Sequence, residues 1–137
     1  MALNNAESGF FAASEYMVSP LPWVISGSTS ATDVVKYSFP KVSKNIIVIN
    51  NATVGKLIRI GFSENGVNGV VDNHYIAIDG KQTINLDVRV RELFLRADTS
   101  NTINFSVYAG LTTINSAQMP TLSGSLPDGS TGWTGVG

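Results

Sequence analysis

The middle of the chain, residues 33–114, is built from short runs in which apolar and polar residues alternate. Val35, Tyr37 and Phe39 are each separated by one polar residue, which is the period-two pattern of a half-buried β-strand. Proline cannot donate a backbone hydrogen bond to a sheet, so Pro40 should end this strand. The pattern therefore predicts a strand over residues 35–39.

The next two runs predict a β-hairpin. Residues 45–50 are rich in β-branched side chains and apolar on both faces, which is typical of a central strand covered on both sides. Residues 56–62 form a second run. Residues 51–55 between them have the composition of a turn, so we expect a loop of about five residues.

The polar segment 63–73 contains two Asn-Gly dipeptides and predicts a long loop. A short strand at 75–78 follows, and the Asp79-Gly80 turn comes next. Alternation then resumes at Thr83. Its apolar positions are even-numbered up to Val90, whereas the next apolar pair is odd-numbered. A bulge or turn near Arg91-Glu92 must absorb this shift.

Inward-facing positions follow from the alternation within each strand. In the last strand the inward residues are Ile103, Phe105, Val107 and Ala109. Across the sandwich the predicted core includes Val48, Ile60, Leu86, Val88, Phe105 and Val107.

The two ends of the chain read differently from its middle. Residues 1–32 are poor in charge and carry aromatic and aliphatic side chains without a strand or helix period, which predicts an extended N-terminal arm. Residues 115–137 are rich in Gly, Ser and Pro and predict a C-terminal tail. The domain proper would then span residues 33–114.

Seven or so short strands with turns between them, and no helical period, predict an all-β protein. We expect a single β-sandwich with extended N- and C-terminal arms. The chain has no cysteine, so the Cys…Trp…Cys pattern of immunoglobulin domains is absent. A jelly-roll-like topology is therefore favoured over an immunoglobulin-like one.

Charge and composition limit the classes of binding partner that this chain is expected to have. The 137 residues include nine basic and ten acidic side chains, for a net charge of −1. Nucleic-acid binding needs a basic surface that displaces counterions from phosphates, so no nucleic-acid partner is expected. The first residues lack the basic segment and apolar run of a signal peptide. No apolar stretch reaches the length of a membrane span. We expect synthesis in a cytoplasm and no membrane partner.

Candidate catalytic residues are few. The single histidine, His74, lies in a turn without a serine or cysteine nucleophile motif, so no catalytic residue and no enzyme activity are expected. Glu64, Asp72 and Asp79 could pair across loops, but a domain this small rarely builds the cleft of a glycosidase.

Metal and cofactor sites are equally unsupported. Residues 64–73 contain enough oxygen atoms to hold a calcium ion but lack the calcium-loop pattern. We expect a plain polar loop there, no metal, no cofactor and no small-molecule ligand.

Four segments of the chain, residues 46–51, 57–63, 86–96 and 105–112, resemble the small β-sandwich proteins that decorate or cement virus and phage capsids. The resemblance implies a virion protein, made in the host cytoplasm, that binds a major capsid protein and itself. It also implies a homo-oligomer, with a trimer favoured. The alternative is a carbohydrate- or receptor-binding module of a fibre or adhesin, which would display an exposed row of aromatic side chains.

The residues expected to bind a partner are aromatics outside the periodic strands and arginines, which are enriched in interface hot spots. We expect the arms to carry much of the attachment, although Trp23 could instead cap the domain's own core. The candidate partner-binding residues are Phe10, Phe11, Tyr16, Trp23, Arg89, Arg91 and Trp133.

Overall fold

The computed structural model describes residues 19–69, 73–98 and 102–119. In these parts of the chain eight strands form two four-stranded antiparallel sheets. The strands are β1 (Leu21–Thr29), β2 (Val35–Ser38), β3 (Lys41–Asn50), β4 (Ile58–Gly61), β5 (Ile76–Ile78), β6 (Thr83–Leu86), β7 (Glu92–Ala97) and β8 (Ile103–Asn115). A short helix α1 (Glu64–Asn68) follows β4, and a 3₁₀ turn (Ser116–Gln118) follows β8.

The strand pairings define a jelly roll. Sheet A has the order β1-β8-β3-β6 and sheet B the order β2-β7-β4-β5. The pairs β1·β8, β2·β7, β3·β6 and β4·β5 are those of one long hairpin folded at the β4–β5 connection and wrapped into two sheets. The expected all-β sandwich of jelly-roll type is confirmed.

The core lies between the two sheets. Val48, Ile60, Phe105 and Val107 are at most 1% exposed, as their alternation predicted. Leu86 and Val88 are only partly buried and pack against the edge of this core. They sit less deeply because β6 is an edge strand and residue 88 lies beyond its end.

The predicted hairpin of residues 45–62 is wrong. β3 belongs to sheet A, where it pairs with β8 and β6, whereas β4 belongs to sheet B. Residues 51–57 therefore cross from one sheet to the other. The side chain of Asn50 is fully buried at the start of this crossing, where it donates to the carbonyls of Lys56 (2.8 Å) and Ile78 (3.2 Å). Its Oδ1 accepts the N–H of Ala52 at 2.9 Å.

The segment 63–73 is not simply a polar loop, because its first part forms α1. Ser63 caps the helix, its Oγ accepting the N–H of Gly66 at 2.9 Å. Gly69 ends it in the left-handed conformation, at φ 68°. The buried Val67 packs α1 onto sheet B, and a Cβ on Gly61 would lie 2.7 Å from Val67 Cγ1. Tertiary packing thus stabilises a helix too short to form alone.

The parity shift predicted near Arg91-Glu92 marks a change of sheet. β6 ends in sheet A and β7 begins in sheet B. Ser43 fastens the crossing, since its Oγ donates to the carbonyl of Val88 (2.7 Å) and accepts the N–H of Val90 (3.0 Å). The strand β3 is irregular on both sides of Ser43 where it pairs with β8.

Both domain boundaries predicted from the sequence need correction. Residues 21–29, placed in the N-terminal arm of residues 1–32, form β1 and pair along their whole length with β8. At the other end, Met119 is buried with Val42 and Ile114 in a small second core. The folded unit therefore includes residues 21–119 as far as they are described. The arm and tail predictions for residues 1–18 and 120–137 lie outside the described residues.

No helix in the described part of the chain is long and apolar enough to cross a membrane.

Candidate protein-binding surface

The protein itself covers the part of the outer face of sheet B that lies over β4 and β7. Helix α1 contacts β4 and β7, and Phe94 of β7 is only 6% exposed. The Lys36 ammonium lies 5.8 Å from the Phe94 ring centre and 3.4 Å from a carboxylate oxygen of Glu92. The charged groups of Lys36 and Glu92 on this face thus contact other residues of the same chain.

Two arginines side by side on β4 and β7 complete that layer. Arg59 donates to the Val67 carbonyl at the end of α1 (3.0 Å) and pairs with Asp98 at 2.6 Å. Its guanidinium also stacks on Tyr75, 4.5 Å from the ring centre. Arg96 donates to the carbonyl of Ala31 at 2.7 Å. Arg96 also donates to the carbonyl of Asn68 at the end of α1 (3.4 Å). Cations at the carboxyl end of a helix are favourable, so both arginines stabilise the fold.

The outer face of sheet A is different because it is almost free of charge. The four strands of sheet A contain only two charged residues, Lys41 and Lys44, both at the start of β3. The central part of this surface, which we call the neutral face, consists of Val24, Ser26, Ile47, Ile49, Thr83, Asn85, Ser106 and Tyr108.

Strand register arranges the neutral face in two rows. One row runs Val24, Tyr108, Ile47 and Asn85 across the four strands. The next runs Ser26, Ser106, Ile49 and Thr83, and Ser26 Oγ lies 3.1 Å from Ser106 Oγ. Apolar side chains thus sit among hydroxyl and amide groups. Such a mixture is suited to a contact that excludes water without burying charge.

Several apolar side chains of this face are open to solvent. Val24 is 69% exposed and Ile49 is 38% exposed, whereas Ile47 and Tyr108 are half-buried. Contiguous apolar groups of this kind mark interaction surfaces more often than isolated exposed residues do.

The chain reaches β1 by passing over the same side of sheet A. A Cβ on Gly110 would lie 2.2 Å from Asn45 Oδ1 and 2.8 Å from Pro20 Cβ. Pro20 therefore lies on the sheet over Gly110, and only glycine leaves room for it there.

Of the predicted partner-binding residues, Trp23 turns inward. Its ring centre lies 4.9 Å from Phe39 and 5.6 Å from Tyr37 in edge-to-face contacts. Tyr37 in turn contacts Phe105, and burial raises the pKa of the Tyr37 hydroxyl. Trp23 thus belongs to the domain's own core, the alternative that the sequence left open.

Of the other predicted residues, the structure describes only Arg89 and Arg91. Arg89 is exposed and Arg91 half-buried, both in the connection between β6 and β7. Phe10, Phe11, Tyr16 and Trp133 lie outside the described residues. Val24, Ile47, Ile49 and Tyr108 of the neutral face are not among the residues predicted from the sequence. The apolar side chains of residues 45–50 occupy both strand faces. That pattern predicts a strand covered on both sides, whereas the structure leaves Ile49 exposed.

Two of the residues considered for catalysis or metal binding, His74 and Asp79, have clear surroundings in the described part of the chain. His74 is half-buried beside an open groove of about 290 Å³ that is also lined by Ile60, Phe62 and Tyr75. Asp79 organises a turn, its Oδ1 accepting the N–H groups of Gly55 and Gly80 at 2.7 Å each. Within the described residues no group of three or more potential metal ligands is found. Asp72, part of the loop considered for calcium, lies outside them.

The sequence matches no protein-family profile and no curated protein. Among solved structures, it is similar to PliG of Aeromonas hydrophila, a periplasmic inhibitor of g-type lysozyme. The identity is 13% and the TM-score 0.42, over 67% of this chain and 87% of that one. It is also similar to a chain of Bacillus endospore appendages, described as disulfide-linked pili. Here the identity is 12% and the TM-score 0.36, over 81% of this chain and 99% of that one. Likeness at this level concerns the all-β fold alone.

Proposed function

We propose that this chain is a structural subunit that binds other proteins through the neutral face, and specifically a capsid decoration or cement protein. The observation that carries the proposal is the contrast between the two sheets. In sheet B, α1 and paired charges cover β4 and β7, whereas sheet A leaves apolar side chains open among uncharged polar ones.

Burial on a partner would stabilise this surface. Removing a Val or Ile side chain from water contributes about 1.5–3 kcal/mol when it is fully exposed beforehand. Val24 and Ile49, at 69% and 38% exposed, retain a substantial part of that gain for an intermolecular contact. Because the face carries no charge, its burial needs no compensating ion pair.

A protein partner fits this surface better than a nucleic acid. The net charge is −1, and the two lysines of sheet A lie at one end of β3. Phosphate binding requires a concentrated basic surface. A shell of repeating protein subunits, in contrast, offers the extended surface that a flat sheet face can cover.

The jelly roll is compatible with this role but does not identify it. Eight-stranded jelly rolls occur in viral capsid proteins and also in lectins and cupins, and a fold alone does not define a function. The carbohydrate-binding alternative requires an exposed row of aromatic rings. Within the described residues, Trp23, Tyr37, Phe39 and Phe105 instead pack together around the core.

The terminal arms remain part of the proposal. Residues 1–18 and 120–137 contain the candidate aromatics Phe10, Phe11, Tyr16 and Trp133. Because Met119 is buried, a clean deletion of the tail begins at residue 120. We expect this deletion to leave the unfolding transition nearly intact and to weaken attachment to the particle.

The proposal is tested on particles purified from the source that encodes this chain. The tagged chain is mixed with them, and bound chain is measured by co-sedimentation and located by electron microscopy. Ile49→Asp should reduce binding at least tenfold, because it places a charge in the centre of the neutral face. Val54→Asp is the matched control, since Val54 is 75% exposed but lies in the crossing loop.

Equal binding by the Ile49→Asp and Val54→Asp variants, both folded by circular dichroism, would contradict the assignment of the neutral face. Absence of the chain from every capsid preparation would contradict the decoration role. Saturable binding of a purified glycan by the isolated chain would favour the carbohydrate-binding alternative instead.

A further inference from the structure

The two sheets of the described fold have four edge strands, and β1 is much longer than the other three. β2, β5 and β6 have three or four residues each, whereas β1 has nine. An edge strand presents unpaired N–H and C=O groups, and its capacity to pair with another chain grows with its length. β1 is the long open edge of the described fold.

β1 also lacks the usual protection against pairing. Proteins guard their edges with charged side chains, prolines, bulges or short strands. The sequence of β1, LPWVISGST, contains no charged residue. Its register with β8 is continuous from Leu21 to Thr29, so no bulge bends it. Only Pro22, near its beginning, interrupts the row of donors.

Pro22 also shows which backbone groups face outward. In an antiparallel pair, residues alternate between those that bond to the neighbouring strand and those that point away from it. Pro22 lies opposite Gly110 but has no N–H to donate, so it belongs to the set that points away from β8. By the same alternation Val24, Ser26 and Ser28 direct their N–H and C=O groups to the open edge.

We propose that β1 pairs with β1 of a second copy of this chain, antiparallel and across a two-fold axis at Ser26. In this register Ser26 of one copy faces Ser26 of the other, and Val24 faces Ser28 twice. Each of these pairs exchanges two hydrogen bonds, about six in all. The outward-pointing groups derived from Pro22 are those that this register uses.

The side chains suit a contact between identical strands. A two-fold interface brings the same patch of both copies together, so any charge on it would approach its own copy. β1 and its neighbour β8 carry no charge at all. The dimer would join the two A sheets into one eight-stranded sheet and place two neutral faces side by side. This inference stands independently of the proposed attachment to a capsid.

The experiment uses two double variants that differ only in the sign of the charge at residue 28. Val24→Lys with Ser28→Lys places lysine opposite lysine in both outer pairs. Val24→Lys with Ser28→Glu places lysine opposite glutamate in the same pairs. Both sites are exposed on the outer side of an edge strand. Directly opposite each other on neighbouring strands, unlike charges stabilise the strand pair and like charges destabilise it. Asn85→Lys, on the far edge of the same sheet, is the control.

Sedimentation velocity on the full-length chain is the readout, from low to high micromolar concentration. We expect the unmodified chain and the Asn85→Lys control to reach twice the monomer mass of 14.6 kDa. The dissociation constant of the lysine–lysine variant should be at least about tenfold higher than that of the lysine–glutamate variant. Circular dichroism verifies that both are folded.

Three results would overturn the inference. The first is an unmodified chain that stays monomeric at high micromolar concentration. The second is a trimer, the state that the sequence resemblance favoured. The third is identical dissociation constants for the two double variants, which would place the contact elsewhere. None of these results bears on the Ile49→Asp test, so the two proposals fail separately.

Discussion

Asn50 offers a sharp test of how the two sheets are connected. It ends β3, and its side chain is fully buried where the chain leaves sheet A for sheet B. The amide joins three segments, because it bonds to Ala52, to Lys56 before β4 and to Ile78 at the end of β5. Asn50→Ala removes all three bonds while leaving the backbone unchanged.

The expected cost follows from those contacts. A hydrogen bond contributes about 0.5–1.5 kcal/mol net, and a buried polar group left without its partner costs about 1–3 kcal/mol. The bond to Ile78 is buried, whereas those to Lys56 and Ala52 are partly accessible to water. We therefore expect Asn50→Ala to lower the free energy of unfolding by about 2–4 kcal/mol.

Equilibrium unfolding in urea, followed by circular dichroism, measures this loss. Asn51→Ala is the matched control, because Asn51 is exposed and its amide makes one exposed bond, to Ser106. It should cost less than about 1 kcal/mol. Asn50→Asp keeps the shape but turns the donors into acceptors that face two carbonyls, so it should destabilise at least as much as alanine. If Asn50→Ala and Asn51→Ala cost the same, the amide does not hold the crossing and our reasoning is wrong.

Three further predictions concern the core, the helix and the effect of pH. Phe105→Ala should cost about 3–5 kcal/mol in urea unfolding because it empties a fully buried aromatic site; a loss below about 1 kcal/mol would refute the core assignment. Ser63→Ala should cost about 1 kcal/mol by removing the cap of α1, and Ser63→Asp should restore it, whereas equal stability of all three proteins would argue against capping. Burial raises the pKa of Tyr37, so the folded state keeps this proton to higher pH than the unfolded state. The protonated Tyr37 hydroxyl therefore contributes to the free energy of unfolding. This contribution is fully present below the ordinary tyrosine pKa of about 10 and is lost as pH rises through the pKa of the folded state. Thermal unfolding scans of Tyr37→Phe should therefore show a smaller decline above pH 10 than the unmodified chain, and identical declines would contradict this.

Local patterns in the sequence were sufficient to find most strands. A strand with one buried face must alternate, so β2, β7 and β8 could be located from their apolar positions alone. The change of parity before Leu93 likewise required a break, and the break is where the chain changes sheet. The all-β class and much of the core were thus determined by residues close together in the sequence.

β1 and α1 were not predictable from the sequence and became apparent only in the tertiary structure. The run LPWVISGST contains Pro, Gly and Ser and has little strand character of its own, and it becomes a strand because β8 pairs with it. Ser26 and Ser106 are 80 positions apart yet in contact, a distance over which local patterns carry no information. Helix α1 forms because Val67 and Arg59 fasten it to sheet B.

The candidate surface was decided by topology as well. The sequence shows that residues 45–50 are apolar on both faces, but it cannot show which face a second layer covers. The jelly-roll order brings Val24, Tyr108 and Ile47 into one row, and these residues come from three distant segments. The sequence supplies uncharged strands, and only their pairing assembles them into one open face, because a sheet surface is made from every strand at once.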